Sequence, residues 1–484
     1  MNRHKLKAIF DAGFEAVFKL FKSQAETAKK QLSEIARLEK RIKALEDRFG
    51  QNSSNSSKPP SSDWPTKLRS LRSKSGKSPG GQKGHKGHNL KMVDNPDNTI
   101  VYKVYNCSNC GSCLDNTIPD DCRKRQVFDL PPIKVNVTEH IAEKKTCPHC
   151  GHLNKASFPD GITQLTQYGP RIKSILTYLS QYQLLPYERT SELFSDLFNI
   201  ELSAGTIVNT NRVCFEALKS AEDKIKQQIT ASSVVHFDET GMYTEEDRWW
   251  LHAASTDNLT YYSAHPRRGK AATDEISILP NFYGVAVHDG WNTYFKYSCG
   301  HALCNAHHLR ELKAVKECYD QKWAIDMTDL LLKIKEAVDT KRITAGSLEQ
   351  DKIEAFKKRY DKIIKAGIAE NPPAKVEEGP KKRGRTGKSK AENLLFRLKE
   401  RWKETLYFMY DFDVPFDNSQ SERDIRMVKV QQKISGTFRS INGAKTFCRI
   451  RGYISTARKN SLSVIDAIQS AFEGNPFTPV SAEY

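Results

Sequence analysis

"SVVHFDETGMY", Ser233–Tyr243, alternates apolar and polar residues and runs into acids at Asp238 and Glu239. A period of two belongs to a half-buried strand. The pattern returns in "RWWLHAAST" (Arg248–Thr256), "LTYYSAHP" (Leu259–Pro266) and "YGVAVHDGW" (Tyr283–Trp291), and the last again meets an acid where its apolar run stops, at Asp289. Neighbouring strands of one sheet would set Asp238 and Asp289 side by side. Paired carboxylates suit hard divalent cations, and two such ions can activate water and stabilise the leaving oxygen of a phosphodiester. A third acid completes a site of this kind. Glu422 is the best candidate, because the turn-forming "FDNS" of "VPFDNSQSERDIRMVKVQQKISGTFRS" (Val414–Ser440) precedes helical text that carries it. Glu239, Asp413, Asp417 and Asp424 compete for the same role.

Around this segment the chain is long and basic. Its 484 residues suit about three folded units at roughly 150 residues each, and 76 Lys and Arg against 58 Asp and Glu leave a net charge of +18. Such an excess predicts a polyanionic partner without specifying a fold. Arg423, Arg426 and Lys429 fall within two helical turns of Glu422 and would offer cations to DNA phosphates. No apolar run approaches the ~20 residues that span a bilayer, and the N-terminal text lacks an uninterrupted signal core. The expectation is a cytoplasmic protein with no membrane partner.

Leu6 to Phe49 is helical in pattern, and Ile35, Leu38, Ile42, Leu45 and Phe49 step as a short coiled-coil seam. A dimerisation arm and a helix packed on its own domain both fit. Residues 51–98 are rich in Ser, Gly, Pro and Lys, with only Asp63 opposing the cations from Lys58 through Lys91, which predicts a flexible linker able to follow phosphates or merely solvated. A helical block at 165–230 contains "YERTSELFSDLFNIELSAGTIVNTNRVCFEAL", where one helix ends near Asn199 and Ser203 is placed to cap the next, as in a helix-turn-helix or a plain helical hairpin. Helical text from Ala306 to Asp411 is interrupted by a second basic stretch carrying Lys381, Lys382, Arg383 and Arg385. Its "GRTGKS" fails as a phosphate loop, since Lys382 stands where the first glycine is required.

Eleven cysteines, an odd number over a long chain, argue against a secreted disulfide framework. Cys107 and Cys110 form one C-x-x-C, and Cys147 and Cys150 the other. Each pair, followed by a glycine, makes a knuckle that presents two thiolates, and two knuckles complete a tetrahedral zinc shell. The strand-like "TIVYKVY" (Thr99–Tyr105) and "IKVNVTEHIAE" (Ile133–Glu143) predict a small β-rich module at 99–160 with a hairpin joining the knuckles. Reduced cysteines without metal are the plain alternative, and Cys113 or Cys122 could replace a ligand.

Read in series, "QNSSNSSKPPSSD", "GGQKGHKGH", the two cysteine pairs, "YGPRIKSILTYLSQYQLLPYERTSELFSDLF", "HFDETG", "CNAHHLREL" and "VPFDNSQSERDIRMVKVQQKISGTFRS" resemble the transposase of the bacterial insertion sequence 66 family over nearly the whole chain. The resemblance implies a multidomain protein whose α/β catalytic domain is ribonuclease-H-like, at 231–305 and 410–450, with a helical insertion at 306–409. It is accompanied by an N-terminal helical arm at 1–50 and a C-terminal helical tail at 451–484. It also implies an Asp-Asp-Glu triad on Asp238, Asp289 and Glu422, spaced 51 and 133 residues apart (289 − 238 and 422 − 289). The family commonly has a second Asn and then an Ala before the Glu, where this chain has Ser419 and Ser421. Cys304 and His307 form a C-x-x-H that resembles a signature seen after the second Asp in several transposase superfamilies. With Cys299 and His301 they would make a second zinc site, or simply a packed helix start.

The implied activity is cleavage at the ends of an insertion sequence and transfer of the 3′-OH strands into target DNA, using two Mg²⁺ or Mn²⁺ ions per active site and structural Zn²⁺ elsewhere. The implied partners are double-stranded DNA, as terminal inverted repeats and target, further copies of the chain in a homo-oligomer on DNA, and element-encoded accessory proteins, with a bacterial, nucleoid-associated location. Two alternatives stay open: a metal-dependent nuclease or resolvase on the same fold without strand transfer, and a zinc-containing DNA-binding regulator without catalysis.

Overall fold

The computed structural model describes residues 10–49, 90–131, 133–245, 247–372 and 389–479. It divides into two compact units, one comprising Met1–Arg69, Thr166–Ser191 and Leu202–Tyr484, the other Ser70–Leu165 with Glu192–Glu201. The first described element is a single helix, α1 (Phe14–Phe49), which starts just after Gly13 at φ +93°. Ile35 and Leu38 of the expected seam are exposed on it. The side chains of Ile42, Leu45 and Phe49 lie outside the described residues.

In the second unit, β1 (Lys144–Thr146) and β2 (Leu153–Lys155) form a two-stranded antiparallel hairpin around the second cysteine pair. The first pair is closed by an isolated bridge between Asn106 and Cys113. Here the structure corrects the sequence reading: Thr99–Tyr105 and Ile133–Glu143 have no strand assignment, so the module is not β-rich and no hairpin of those runs joins the knuckles. Their apolar residues have no face to cover. Val101, Tyr102, Val104, Val137 and Ile141 are all exposed, and an extended run with neither a core nor a paired neighbour gains nothing from the sheet ladder.

The helices α2 (Pro170–Thr177), α3 (Tyr187–Phe198), α4 (Ala204–Ala217) and α5 (Lys219–Ala231) occupy the block read as helical. Asn199 follows α3 with a left-handed backbone, and the Ser203 hydroxyl accepts the Thr206 N–H to cap α4. The strands β3 (Val234–Thr244), β4 (Asp247–Ser255) and β5 (Thr260–His265) then run as an antiparallel meander. After α6 (Lys270–Ile276) the chain returns as β6 (Val285–His288) and β7 (Gly300–Leu303), both parallel to β3. The order across the mixed sheet is β5-β4-β3-β6-β7. The four strands read from alternation are all present; the short β7 is the one that reading missed.

Period two along β3 sorts its side chains between two cores. Val235 and Phe237 join Ile225 and Ile229 of α5 with Leu279, Phe282 and Tyr294 on one face. Met242 joins Leu251, Tyr262 and the helical residues Ile425, Val428 and Phe447 on the other. Between β7 and the helix bearing Glu422 lie α7 (Asn305–Tyr319), α8 (Lys322–Lys341), α9 (Gln350–Glu370), α10 (Lys390–Glu400) and the short α11 (Trp402–Thr405). These build a core of their own around Trp323, Leu330, Ile334, Tyr360, Leu394 and Leu398, with helical spacing 323, 327, 330, 331, 334, 338 on α8. The chain then returns to the sheet as α12 (Ser419–Ser435), α13 (Ile441–Lys459) and α14 (Val464–Phe472).

Among the described residues no helix is long and apolar enough to cross a membrane.

Candidate active site at the parallel strands

The β3–β6 register pairs Val234 with Val285, Val235 with Ala286 and His236 with Val287, a constant offset of 51. The same offset carries Asp238 onto Asp289, one residue beyond the end of β6. Asp289 Oδ1 accepts the Trp291 N–H (2.9 Å) across a turn in which Gly290 takes φ +91°. Asp238 Oδ1 accepts the adjacent Glu239 N–H (2.8 Å). Burial holds the Asp238 carboxyl well above the usual carboxylate range, and the nearby charges of Glu239, Asp289 and Glu422 push it the same way. Three separate stretches of chain thus bring their negative charges together at one end of β3.

Glu239 competed for the metal-binding role in the sequence, and its surroundings assign it elsewhere. It is buried, accepts a hydrogen bond from Arg268 Nε (2.8 Å) as well as from Arg268 Nη2, and accepts the Tyr294 hydroxyl. Arg268 is stacked between Trp250 and Trp291, at 4.9 and 4.4 Å from the ring centroids. Burial raises the Glu239 carboxyl, while Tyr294 and Arg268 lower it. Sequence reasoning missed Arg268 and Tyr294, and the only available signal was that a buried acid needs a donor and a cation. The other competitors are also engaged or remote: Asp417 Oδ1 accepts the Ser419 N–H (2.9 Å), Asp424 pairs with the partly buried Lys459 (2.9 Å), and Asp413 is exposed.

Glu422 stands in the first turn of α12, where Asn418 ties three elements together. The Asn418 side chain accepts from His236 Nδ1 (2.7 Å) and donates to the Phe237 carbonyl (2.9 Å), both on β3. Its backbone N–H donates to Cys304 Sγ (3.1 Å), the residue that precedes α7. This buried amide therefore sets where α12 begins relative to β3. Asn418→Ala should leave the His236 and Phe237 groups without partners and cost about 2–4 kcal/mol. Urea denaturation measures it, and a loss below about 0.5 kcal/mol, as at an ordinary surface position, would contradict the role.

Cys304 and His307 also reach Glu422. His307 Nδ1 lies 3.8 Å from Glu422 Oε1, and Arg310 Nη2 lies 3.6 Å from Oε2. Among the described residues, Cys304, His307 and Glu422 form the one group of three such side chains whose ligand atoms lie within 4.8 Å of one another. Cys299 and His301 are not part of it. His301 Nδ1 instead meets His288 Nε2 at 3.1 Å, so the four-residue zinc set is not gathered. Burial pushes the Cys304 thiol up to about 11.

Of the basic candidates, Arg423 and Arg426 are exposed on α12. The Lys429 ammonium donates to the Gly241 carbonyl, so part of its bonding capacity is used within the fold. Lys381, Lys382, Arg383 and Arg385 lie outside the described residues, as does the basic linker up to Asn89.

In the other unit, the two C-x-x-C segments form matching turns. Cys107 N–H donates to Ser112 O (2.8 Å) and Gly111 N–H to Cys107 O (2.9 Å), while Cys147 N–H donates to His152 O (2.8 Å) and Gly151 N–H to Cys147 O (2.9 Å). Gly111 and Gly151 have φ of +76° and +71°, a conformation costly for other residues. Hydrogen bonds from Ser112 and Cys107 draw the Cys110 thiol down to about 7, and bonds from Cys150 and His149 lower Cys147. Each knuckle is thereby formed with a thiol inclined to ionise, as a metal ligand must be. The four sulfurs are not gathered as tightly as the Cys304 group.

Comparison with protein families finds three matches. The model described as the transposase IS66 family covers residues 166–446, that of the zinc-finger binding domain of transposase IS66 covers 105–151, and a family of unknown function covers 17–91. A search of curated proteins returned no relative.

Proposed function

The chain belongs to the IS66 family of transposases, with a zinc-finger module that supports structural zinc and DNA as the partner, and from that premise we propose that Asp238, Asp289 and Glu422 are the acids that cut and join DNA strands. The observation that carries this reading is the common offset of 51 in the β3–β6 register, which brings Asp289 opposite Asp238. The sheet order, with three antiparallel strands and two parallel ones beside β3, supports a ribonuclease-H-like catalytic domain formed by 231–305 and 410–450, with 306–409 as its helical insertion.

The donor set fits hard divalent cations. Its atoms are carboxylate oxygens and their charges oppose one another at Asp238, although the three side chains are not gathered as tightly as the Cys304 group. When bound, a pair of Mg²⁺ or Mn²⁺ ions would activate the attacking oxygen and stabilise the leaving 3′ oxygen. Asp238, Asp289 and Glu422 would hold them. Arg268 and Tyr294 hold Glu239 turned into the protein, which leaves Asp238 as the free carboxylate of that pair. No energy cofactor enters, because one phosphodiester is exchanged for another.

DNA would lie along α12, on Arg423 and Arg426, with α3, α4 and the knuckles contacting the terminal inverted repeats. Arg423→Ala with Arg426→Ala should weaken binding to every DNA sequence alike. The slope of log K against log salt should flatten by about 1.8, at roughly 0.9 for each phosphate that the variant no longer neutralises; an unchanged slope measured by fluorescence anisotropy would remove α12 from the DNA path. The four knuckle cysteines would hold one Zn²⁺. By mass spectrometry the purified parent chain should carry about one zinc more than Cys147→Ser, and equal zinc content in the two would count against it.

The test of function is an end-joining assay with DNA carrying the element termini, a target plasmid and Mg²⁺. Joined products are expected. Free ends alone would favour a nuclease, and binding without any cleavage a regulator.

A further inference from the structure

We infer that Cys304, His307 and Glu422 form a binding site for one thiophilic divalent cation such as Zn²⁺, distinct in chemistry from the oxygen-only site of the three acids. The three residues come from two distant stretches of chain: Cys304 closes β7 and precedes α7, His307 sits in the first turn of α7, and Glu422 in the first turn of α12. Their ligand atoms lie within 4.8 Å of one another. In a tetrahedral zinc shell, bonds of about 2.0–2.3 Å place ligand atoms roughly 3.3–3.8 Å apart, and His307 Nδ1 to Glu422 Oε1 is already 3.8 Å.

Two of the three atoms also lack other work. Among the described residues His307 Nδ1 and Glu422 Oε1 are buried with no hydrogen-bond partner, a costly arrangement for polar atoms that a cation between them would resolve. Arg310 engages the other oxygen, Oε2, which leaves Oε1 for the ion. Cys304 is 1% exposed, and the Asn418 N–H aimed at its sulfur (3.1 Å) would stabilise a thiolate once formed. One sulfur, one imidazole nitrogen and one carboxylate oxygen make a set that Mg²⁺ disfavours and Zn²⁺ or Co²⁺ accepts, with water as the fourth ligand. Binding displaces the thiol proton to solvent. Such an ion would clamp the start of α12 to the start of α7. The site shares Glu422 with the proposed chemistry but is measured without DNA.

Cobalt titration of the full-length chain, first stripped of metal with a chelator, tests it. The parent should take up one Co²⁺ more than Cys304→Ser, and their difference spectrum should show tetrahedral d–d bands with a single-thiolate charge-transfer band. The knuckle cysteines are common to both proteins and cancel in the difference. His307→Gln, at a partly exposed position on α7, should weaken the extra cobalt roughly 10–100-fold or more; it keeps the test decisive if the buried Cys304→Ser does not fold. Equal stoichiometry and identical spectra for the parent and a folded variant would overturn the site. A protein that takes up the extra cobalt yet joins no DNA supports the site and overturns only the strand-transfer reading.

Discussion

Asp238→Asn is expected to abolish joining of a labelled element end to target DNA in Mg²⁺, by about 10³–10⁴-fold or more, as when one member of a cooperating catalytic set is removed. The change keeps the shape of the side chain and removes only its charge and its capacity to bind cations. The fold should not suffer. Burial and the neighbouring acids hold the native Asp238 carboxyl above its unfolded value, so folding takes up a proton there, and the stability from the protonated form is lost as pH rises through the native value. Above that native value the ionised Asp238 opposes folding in the metal-free chain. With chelator present, Asp238→Asn should melt at or above the parent temperature at pH 7, and the difference should shrink as acid protonates the parent carboxyl. A variant that still joins DNA at the parent rate would end the assignment of this acid, whatever its melting temperature.

Gly284→Ala should cost about 3 kcal/mol or more, at the upper end for overpacking. Gly284 precedes β6, and a Cβ built there would stand 2.3 Å from the Ser233 carbonyl, 2.6 Å from the Ser232 carbonyl and 2.7 Å from the Phe282 ring. Two of those obstacles are backbone and cannot rotate away. The Ser233 carbonyl also accepts the Val285 N–H (2.7 Å), the bond that opens the β3–β6 ladder. Relief requires β6 to separate from β3, and Asp289 would move with it. Urea denaturation should show the destabilisation, and end-joining should fall with it. A cost under about 0.5 kcal/mol, as at an ordinary surface position, would mean that β6 does not lie against β3 as described.

Much of this arrangement was legible in the residues because its signals are local. Period two marked β3 to β6, since strand alternation depends only on near neighbours. The C-x-x-C-G turns and the Ser203 cap were readable for the same reason. The 51-residue spacing between Asp238 and Asp289 is simple arithmetic on the sequence. What made it a juxtaposition was the parallel register, whose partners repeat that offset residue by residue. Local text favoured Glu422 as the third acid and the resemblance implied it, while the contacts that engage Asp417 and Asp424 elsewhere came only with the fold.

Local sequence therefore determined the elements, the knuckle turns and which acids end the strands, because periodicity, capping and turn chemistry act over a few residues. Tertiary structure alone decided the rest. Gly300–Leu303 pairs as β7 along the parallel edge that β6 offers it. The runs at Thr99–Tyr105 and Ile133–Glu143 are not strands, and Val101, Val104, Val137 and Ile141 in them stay exposed. Glu239 was withdrawn from the acids by Arg268 and Tyr294, 29 and 55 residues away. Asn418 reached Cys304 across 114 residues, and with it came the meeting of Cys304, His307 and Glu422. A contact between residues so far apart in the chain leaves no mark on the local pattern of either, since the physics that selects it is packing and electrostatics in the folded chain.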